Sequence, residues 1–191
     1  MGDLPEIHHL ADELGAGRWS LFFLVAVGRG TVLRPISPAA CERLFEALAE
    51  ISGTPGPLIT TTEAPHFRRV ALERARRAGR GECVMPQRSI GHGAGIRDGN
   101  GIMFISHTGE VHPSGFLPLT AGNIRTDDPV ALYRGSGVFR ALRRTDLFGG
   151  RCGRCEYREP CGGSRARAFA ATRDPLAEDP LCRYDPAAPV R

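Results

Sequence analysis

The chain contains no lysine, so all 25 of its basic side chains are arginine. With its abundant alanine, glycine and proline, that bias reads as GC-rich codon usage rather than as design for nucleic acid. Aromatic residues are few, 7% of the chain, and no dense basic run is interleaved with them, which argues against a nucleic-acid interface. Long apolar runs are also missing. The most apolar stretch, Leu21 to Val27, is far too short to span a bilayer, and no signal peptide precedes it. A cytoplasmic protein with no membrane association is the expectation. Cysteine is scarce, six in 191 residues. Without export those thiols stay reduced, which favours metal ligation over disulfides. There is no internal repeat.

What is present suffices for a core: 41% of residues are apolar, and the length suits one domain or one and a fraction. Leu4 to Leu14 carries apolar residues at helical spacing. "WSLFFLVAV", 19 to 27, is nearly continuous and predicts a parallel strand buried on both faces, ended by Gly28-Arg29-Gly30. Ser37-Pro38 predicts a helix start, and Cys41, Leu44, Phe45, Leu48 and Ile51 form one stripe of that helix, with Cys41 in its core face. "LITTTEA", 58 to 64, predicts a second strand, and 66 to 78 a basic helix with a solvated face. Strand, helix, strand, helix is the rhythm of a parallel α/β structure, too short here to close a barrel.

After Gly79 the character changes. Residues 79 to 101 read as a Gly-rich loop. Residues 102 to 116 predict a hairpin turning at Thr108-Gly109, Asp128-Pro129 opens a short helix, and Val138, Phe139 and Leu142 mark another. A last helix is predicted from Ser164 to Thr172, before a Pro-rich tail.

The densest chemistry lies between these two segments. "RCGRCEYREPCGG", 151 to 163, supplies Cys152, Cys155 and Cys161, and Cys182 follows after a gap of twenty residues. Four thiolates suit tetrahedral zinc or a four-iron, four-sulfur cluster. Zinc ribbons offer two close pairs, and the second pair is missing; three close ligands and one distant one match the corners of a cuboidal cluster. Gly153, Gly162 and Gly163 would let backbone amides approach the sulfurs, and Arg151, Arg154 and Arg158 would offset an anionic cluster.

"CGRCEYREPCGGSRARA" with "DPLCRY" resembles the end of the SPASM domain, the auxiliary-cluster domain of radical S-adenosylmethionine enzymes. "GIMFISHTGEVHPSGFLPLTAGNI" and "DPVALYRGSGVFRAL" share the resemblance. Upstream, "FFLVAVGRG" and "ITTTEAPHFRR" look like late βα units of the partial barrel in the heme-biosynthesis and peptide-modifying branches. The resemblance implies an α/β fold in two parts: a partial-barrel remnant over 1–80 and a SPASM-like α+β iron–sulfur domain over 81–191. It also implies one auxiliary four-iron cluster on Cys152, Cys155, Cys161 and Cys182, as electron relay or structural anchor. The complete enzyme would use S-adenosylmethionine on a peptide or tetrapyrrole-like substrate.

Two departures qualify that expectation. The C-x-x-x-C-x-x-C motif that holds the cofactor-binding cluster is absent. An inner auxiliary cluster is not expected either, because Ser114 and Arg165 stand where its cysteines would be, leaving only Cys83 upstream. The chain thus reads as a fragment or split product, partnered by an N-terminal radical S-adenosylmethionine half or companion chain and inactive alone. The alternative is a non-catalytic module with four cysteines on zinc, binding a partner protein.

Further candidates come from strand ends, which face the active site of a barrel. Gly28 and Arg29 would touch the cofactor; the other reading is a simple turn. Thr61, Glu63 and His66 would touch substrate, and Glu63 and His66 would position it or move protons; the other reading is ordinary loop polarity. His107 and His112 flank the hairpin turn as exposed or supporting groups.

Overall fold

The computed structural model describes residues 2–79 and 95–186 and shows a mixed α/β protein with two small sheets. The expected boundary at residue 80, and Cys83, lie outside the described residues.

The first half holds α1 (Leu4–Glu13), β1 (Arg18–Phe22), α2 (Pro38–Ile51), β2 (Leu58–Thr62) and α3 (Phe67–Arg77). Strands β1 and β2 pair in parallel, from Arg18 opposite Leu58 to Phe22 opposite Thr62. Helix α2 begins as its sequence dictates: the Ser37 hydroxyl accepts from Ala40 N, and Pro38 needs no N–H partner at the first turn. Its buried face, Cys41, Phe45, Leu48 and Ala49, packs on Ile59, Phe67 and Val70.

Two expectations fail here. The strand stops at Phe22 rather than Val27, and it is not buried on both faces. Strand β1 has one hydrogen-bonded neighbour, so its outer side is uncovered and Phe22 is 73% exposed. Beyond Phe22 the chain turns inward with Phe23 and Val25 buried, then forms a 3-10 turn over Gly28–Val32. The apolar stripe of α1 is likewise open, with Leu14 at 76% exposure; the buried residue is His8, which packs against Trp19.

The second half begins with the hairpin of β3 (Phe104–Ile105) and β4 (Glu110–His112), turning through Gly109 at φ +88°. A third strand, β5 (Gly122–Asn123), pairs antiparallel to β4 and was not expected. Asp128 caps α4 (Pro129–Gly135), Ser136 caps α5 (Gly137–Arg143) and Ser164 caps α7 (Arg165–Thr172). A short helix, α6 (Gly150–Arg154), was also missed; it carries the first cysteine of the motif.

The two halves interlock. Leu181, next to the last cysteine, is buried in the core of the first half, and Val25 is buried with Leu117, Leu142 and Ala166 of the second. No helix among the described residues is long and apolar enough to cross a membrane.

Candidate metal centre

Cys152 lies on α6, Cys155 caps that helix, Cys161 follows in the next turn, and Cys182 returns from the segment after α7. All four line one small cavity. Their sulfurs meet N–H donors: Tyr157 N to Cys155 Sγ at 3.4 Å, Gly163 N to Cys161 Sγ at 3.4 Å, and Asp179 N to Cys152 Sγ at 3.5 Å. The Tyr184 N–H serves Cys182. Donors of this kind stabilise thiolate over thiol. Burial opposes them, raising the thiols of Cys155 and Cys161 and pushing Cys182 up to about 11. Among the described residues no group of three or more His, Cys, Asp and Glu side chains stands in an arrangement that would hold a metal ion directly.

Of the three expected glycines, Gly162 and Gly163 line this cavity, while Gly153 packs against Phe148 O. Gly162 and Gly163 are both left-handed, φ +67° and +65°. A Cβ at Gly163 would lie 3.2 Å from Cys152 Sγ and 2.6 Å from the Arg165 guanidinium, so the bare backbone is required.

Of the three expected arginines, Arg151 and Arg158 line the cavity: Arg151 pairs with Glu178 at 2.9 Å and donates to Cys182 O, and Arg158 donates to Gly153 O, while Arg154, away from the cavity, pairs with Asp185 at 2.6 Å. Helix α3 is not simply a solvated basic face. Arg68 and Arg69 are buried; Arg69 holds Glu42 and Glu73, and Arg68 donates to the carbonyls of Ile96 and Pro160. The Arg165 guanidinium donates to Cys152 Sγ at 3.5 Å.

A second, larger cavity, of about 280 Å³, takes its walls from Thr61, Glu63, Arg68, Arg97, Asp98 and Ser164, among others. Glu63 sits at φ +60°, rare for a residue with a Cβ. The Ser164 hydroxyl donates to Glu63 Oε2 at 2.7 Å, and Arg167 donates to its carbonyl. Burial, with the Asp98 carboxylate nearby, lifts the Glu63 carboxyl to about 7 against the pull of Ser164 and Arg167. Asp98 uses one oxygen to accept from Arg165 N and Ala166 N, both at 3.0 Å; its other oxygen is buried without a partner.

His66 is not brought to this cavity. It is fully buried, its Nε2 3.5 Å from Cys41 Sγ and its Nδ1 3.7 Å from Asp179. Burial lowers its pKa to about 4 despite Asp179, so it is neutral at pH 7 and the approach to Asp179 is not an ion pair. Cys41 is a core residue as expected, its thiol pushed up to about 12 by burial. Gly28 and Arg29 are exposed in the 3-10 turn and line neither cavity. His107 is exposed, and His112 packs against Phe104. Ser114 is a buried turn residue whose hydroxyl accepts from Phe116 N.

With this geometry in hand, comparison with known proteins is informative. The chain is similar to part of an AdoMet-dependent heme synthase. The enzyme of that name from Methanosarcina barkeri is 38% identical over 184 residues, 96% of this chain and 53% of that protein. The one from Nitratidesulfovibrio vulgaris is 38% identical over 186 residues, 95% of this chain and 50% of that protein. A pre-heme d1 synthase from Dinoroseobacter shibae is 30% identical over 195 residues, 94% of this chain and 48% of that protein. The chain thus spans about half the length of the curated relatives it matches. No protein-family model matches it.

Sequence reasoning missed Arg97, Asp98, Ser164 and Asp179. Ser164 was legible as a helix cap, but its second role, reaching Glu63 101 positions away, is visible only in three dimensions. Asp179 accepts from Ser164 N and Leu181 N and pairs with Arg167, holding the two cysteine-bearing segments together. Its one sequence signal is its position three residues before Cys182.

Proposed function

We propose that this chain is the C-terminal part of a radical S-adenosylmethionine enzyme, in which Cys152, Cys155, Cys161 and Cys182 hold one four-iron, four-sulfur auxiliary cluster. The observation that carries this reading is the convergence of four thiols from two separate segments on one cavity, each sulfur facing an N–H donor. The residues fit such a group. The left-handed Gly162-Gly163 pair leaves room beside Cys152, and buried arginine charge faces the thiols. Bound there, the cluster would supply one-electron transfer or a structural anchor. The chain's own residues would hold it by thiolate ligation and keep water from it with Tyr157, Tyr184 and Pro186.

On this reading 1–80 is the end of a partial barrel and 81–191 the SPASM-like domain. The open edge of β1 and the bare stripe of α1 are where a missing barrel half, in the same polypeptide or on a companion chain, would pack. The relatives favour a tetrapyrrole-type substrate over a peptide. Thr61 and Glu63 would contact it from the second cavity. Gly28 and Arg29 would meet S-adenosylmethionine in the complete, cytoplasmic enzyme.

Anaerobic reconstitution with iron and sulfide tests the proposal. A brown chain with about four irons and a broad absorption that bleaches on reduction is expected. A colourless chain holding one zinc would overturn the cluster and favour a zinc-dependent interaction module. The reconstituted, reduced chain alone should form no 5′-deoxyadenosine from S-adenosylmethionine, because the three-cysteine motif that leaves an iron open is absent.

A further inference from the structure

The buried arginines divide into two sets. Arg69 is neutralised by Glu42 and Glu73, and Arg167 by Asp179. Arg165, Arg97 and Arg68, at 0%, 5% and 8% exposure, have no carboxylate partner among the described residues. Their guanidinium partners are backbone carbonyls. Arg165 donates to Ala177 O at 2.6 Å and Pro175 O at 3.1 Å, and Arg97 to Gly95 O at 3.0 Å. Both also lie over the Phe148 ring, 4.5 Å and 5.3 Å from its centre.

A buried cation with only dipoles around it is costly, because carbonyls and a ring face do not replace a counter-ion. Arg165 stands directly behind the cysteine cavity, while Arg97 and Arg68 line the second cavity and approach the first through the Cys161-Gly162 backbone. Arg165 touches Cys152 Sγ, a Cβ on Gly162 would meet Arg97 Nε at 3.0 Å, and the field of Cys161 reaches both Arg97 and Arg68. For Arg165, in contact with a thiol, the compensating negative charge is therefore what the cysteine cavity holds; Arg97 stands behind it and also faces Glu63 and Asp98 in the second cavity.

We infer that Arg165, backed by Arg97, is the fixed counter-charge of the group bound by the four cysteines, and that it sets that group's affinity and redox potential. This rests on the cysteine cavity being a metal centre. Four thiolates give an anionic complex on iron–sulfur or on zinc, and reduction of a cluster adds one more negative charge. A fixed cation within contact of a ligand sulfur stabilises the more negative state and raises the potential. Of the three arginines anticipated for this task, Arg151 and Arg154 are matched by Glu178 and Asp185, and Arg158 donates to Gly153 O from the cavity rim.

The experiment compares the midpoint potential of the reconstituted full chain with that of R165M, R165K, R97M and R154M. R165M should move to lower potential, R97M less far in the same direction, and R165K should stay near the parent. R154M should not move. An unchanged potential in a cluster-loaded R165M overturns the inference, as does an equal shift in R154M. If R165M takes up no cluster, loading of R165K decides: retained loading supports a charge requirement, and equal loss overturns it. If the parent takes zinc instead of iron, the cluster reading fails but this one is read from zinc affinity by chelator competition. R165M should then bind at least about tenfold more weakly, equivalent to about 1.4 kcal/mol, with R165K near the parent. A parent that binds no metal overturns both.

Discussion

Two chambers share one wall in this protein and differ in nearly everything else. The cysteine cavity is small and lined by thiols, with the Arg165 guanidinium against Cys152; its neighbour is larger and carries Glu63, the unpaired oxygen of Asp98 and the buried Arg68 and Arg97. The wall is the run Cys161-Gly162-Gly163-Ser164. Its first three residues line the cysteine cavity and the fourth lines the other. Two left-handed glycines reverse the chain there, and Asp98 then holds the start of α7 from the far side. The lesson is one of timing. Fixed charges that cannot titrate suit a group held permanently, and a carboxyl able to gain or lose a proton near neutral pH suits a guest that comes and goes.

The largest expected effect breaks the first chamber. C152A, C155A, C161A or C182A should reduce iron per reconstituted chain to background, measured by iron assay and visible absorbance. C41A, buried against His66 outside the cavity, should leave loading unchanged. Uniform loss across the four with retention in C41A confirms the ligand set; full loading in any of the four removes that cysteine from it.

Next comes the pin that joins the chambers. Asp179 is fully buried. Burial pushes its carboxyl up, but the Arg167 guanidinium and two backbone N–H groups outweigh that and hold it below the usual range. D179A should cost about 3–5 kcal/mol in urea unfolding, because it strands the Arg167 cation. A group with a depressed folded pKa stabilises above its unfolded value and loses that contribution as pH falls through the folded one. Acid unfolding of the parent should therefore steepen below about pH 4, and D179N should flatten it.

Glu63 gives a smaller and opposite pH effect. Its folded pKa, about 7, lies above the unfolded value of 4.5. Between these values the folded state keeps a proton that the unfolded state releases, so stability falls as pH rises through that window. E63Q should abolish that decline, about 2 kcal/mol between pH 5 and 8 by urea melts at each pH. A parallel decline in parent and variant would assign the effect elsewhere. The smallest effect is R154A: the Arg154–Asp185 pair is exposed at 45% and 75%, so the change should stay below about 1 kcal/mol and leave metal loading intact.

How much of this was legible beforehand depended on range. Helix α2, with Ser37, Pro38 and the Cys41–Leu48 stripe, was written in local spacing, and so were the hairpin at Gly109 and the caps at Asp128 and Ser164. The convergence of the four cysteines on one cavity was legible because cysteine is rare in the chain and the spacing of three of them is tight. The strand expected over 19–27 was misread because an apolar run does not say how many neighbours will cover it; here one strand does, and Val25 leaves for another core. The buried arginines were unreadable for a different reason. Twenty-five identical side chains with no lysine for contrast carry no signal of which are matched, since matching is a contact between distant segments.

Glu63 also bears on how this protein would evolve. Its left-handed backbone costs of the order of 1 kcal/mol that glycine at the same place would not incur. Selection for folding alone would therefore drift position 63 toward glycine or asparagine. Selection for whatever enters the adjoining chamber would hold the carboxylate. Deep sequencing of a library sorted first for abundance and then for function would separate the two pressures at this one site, and the residue that each sort enriches would report directly whether the strain is tolerated for chemistry.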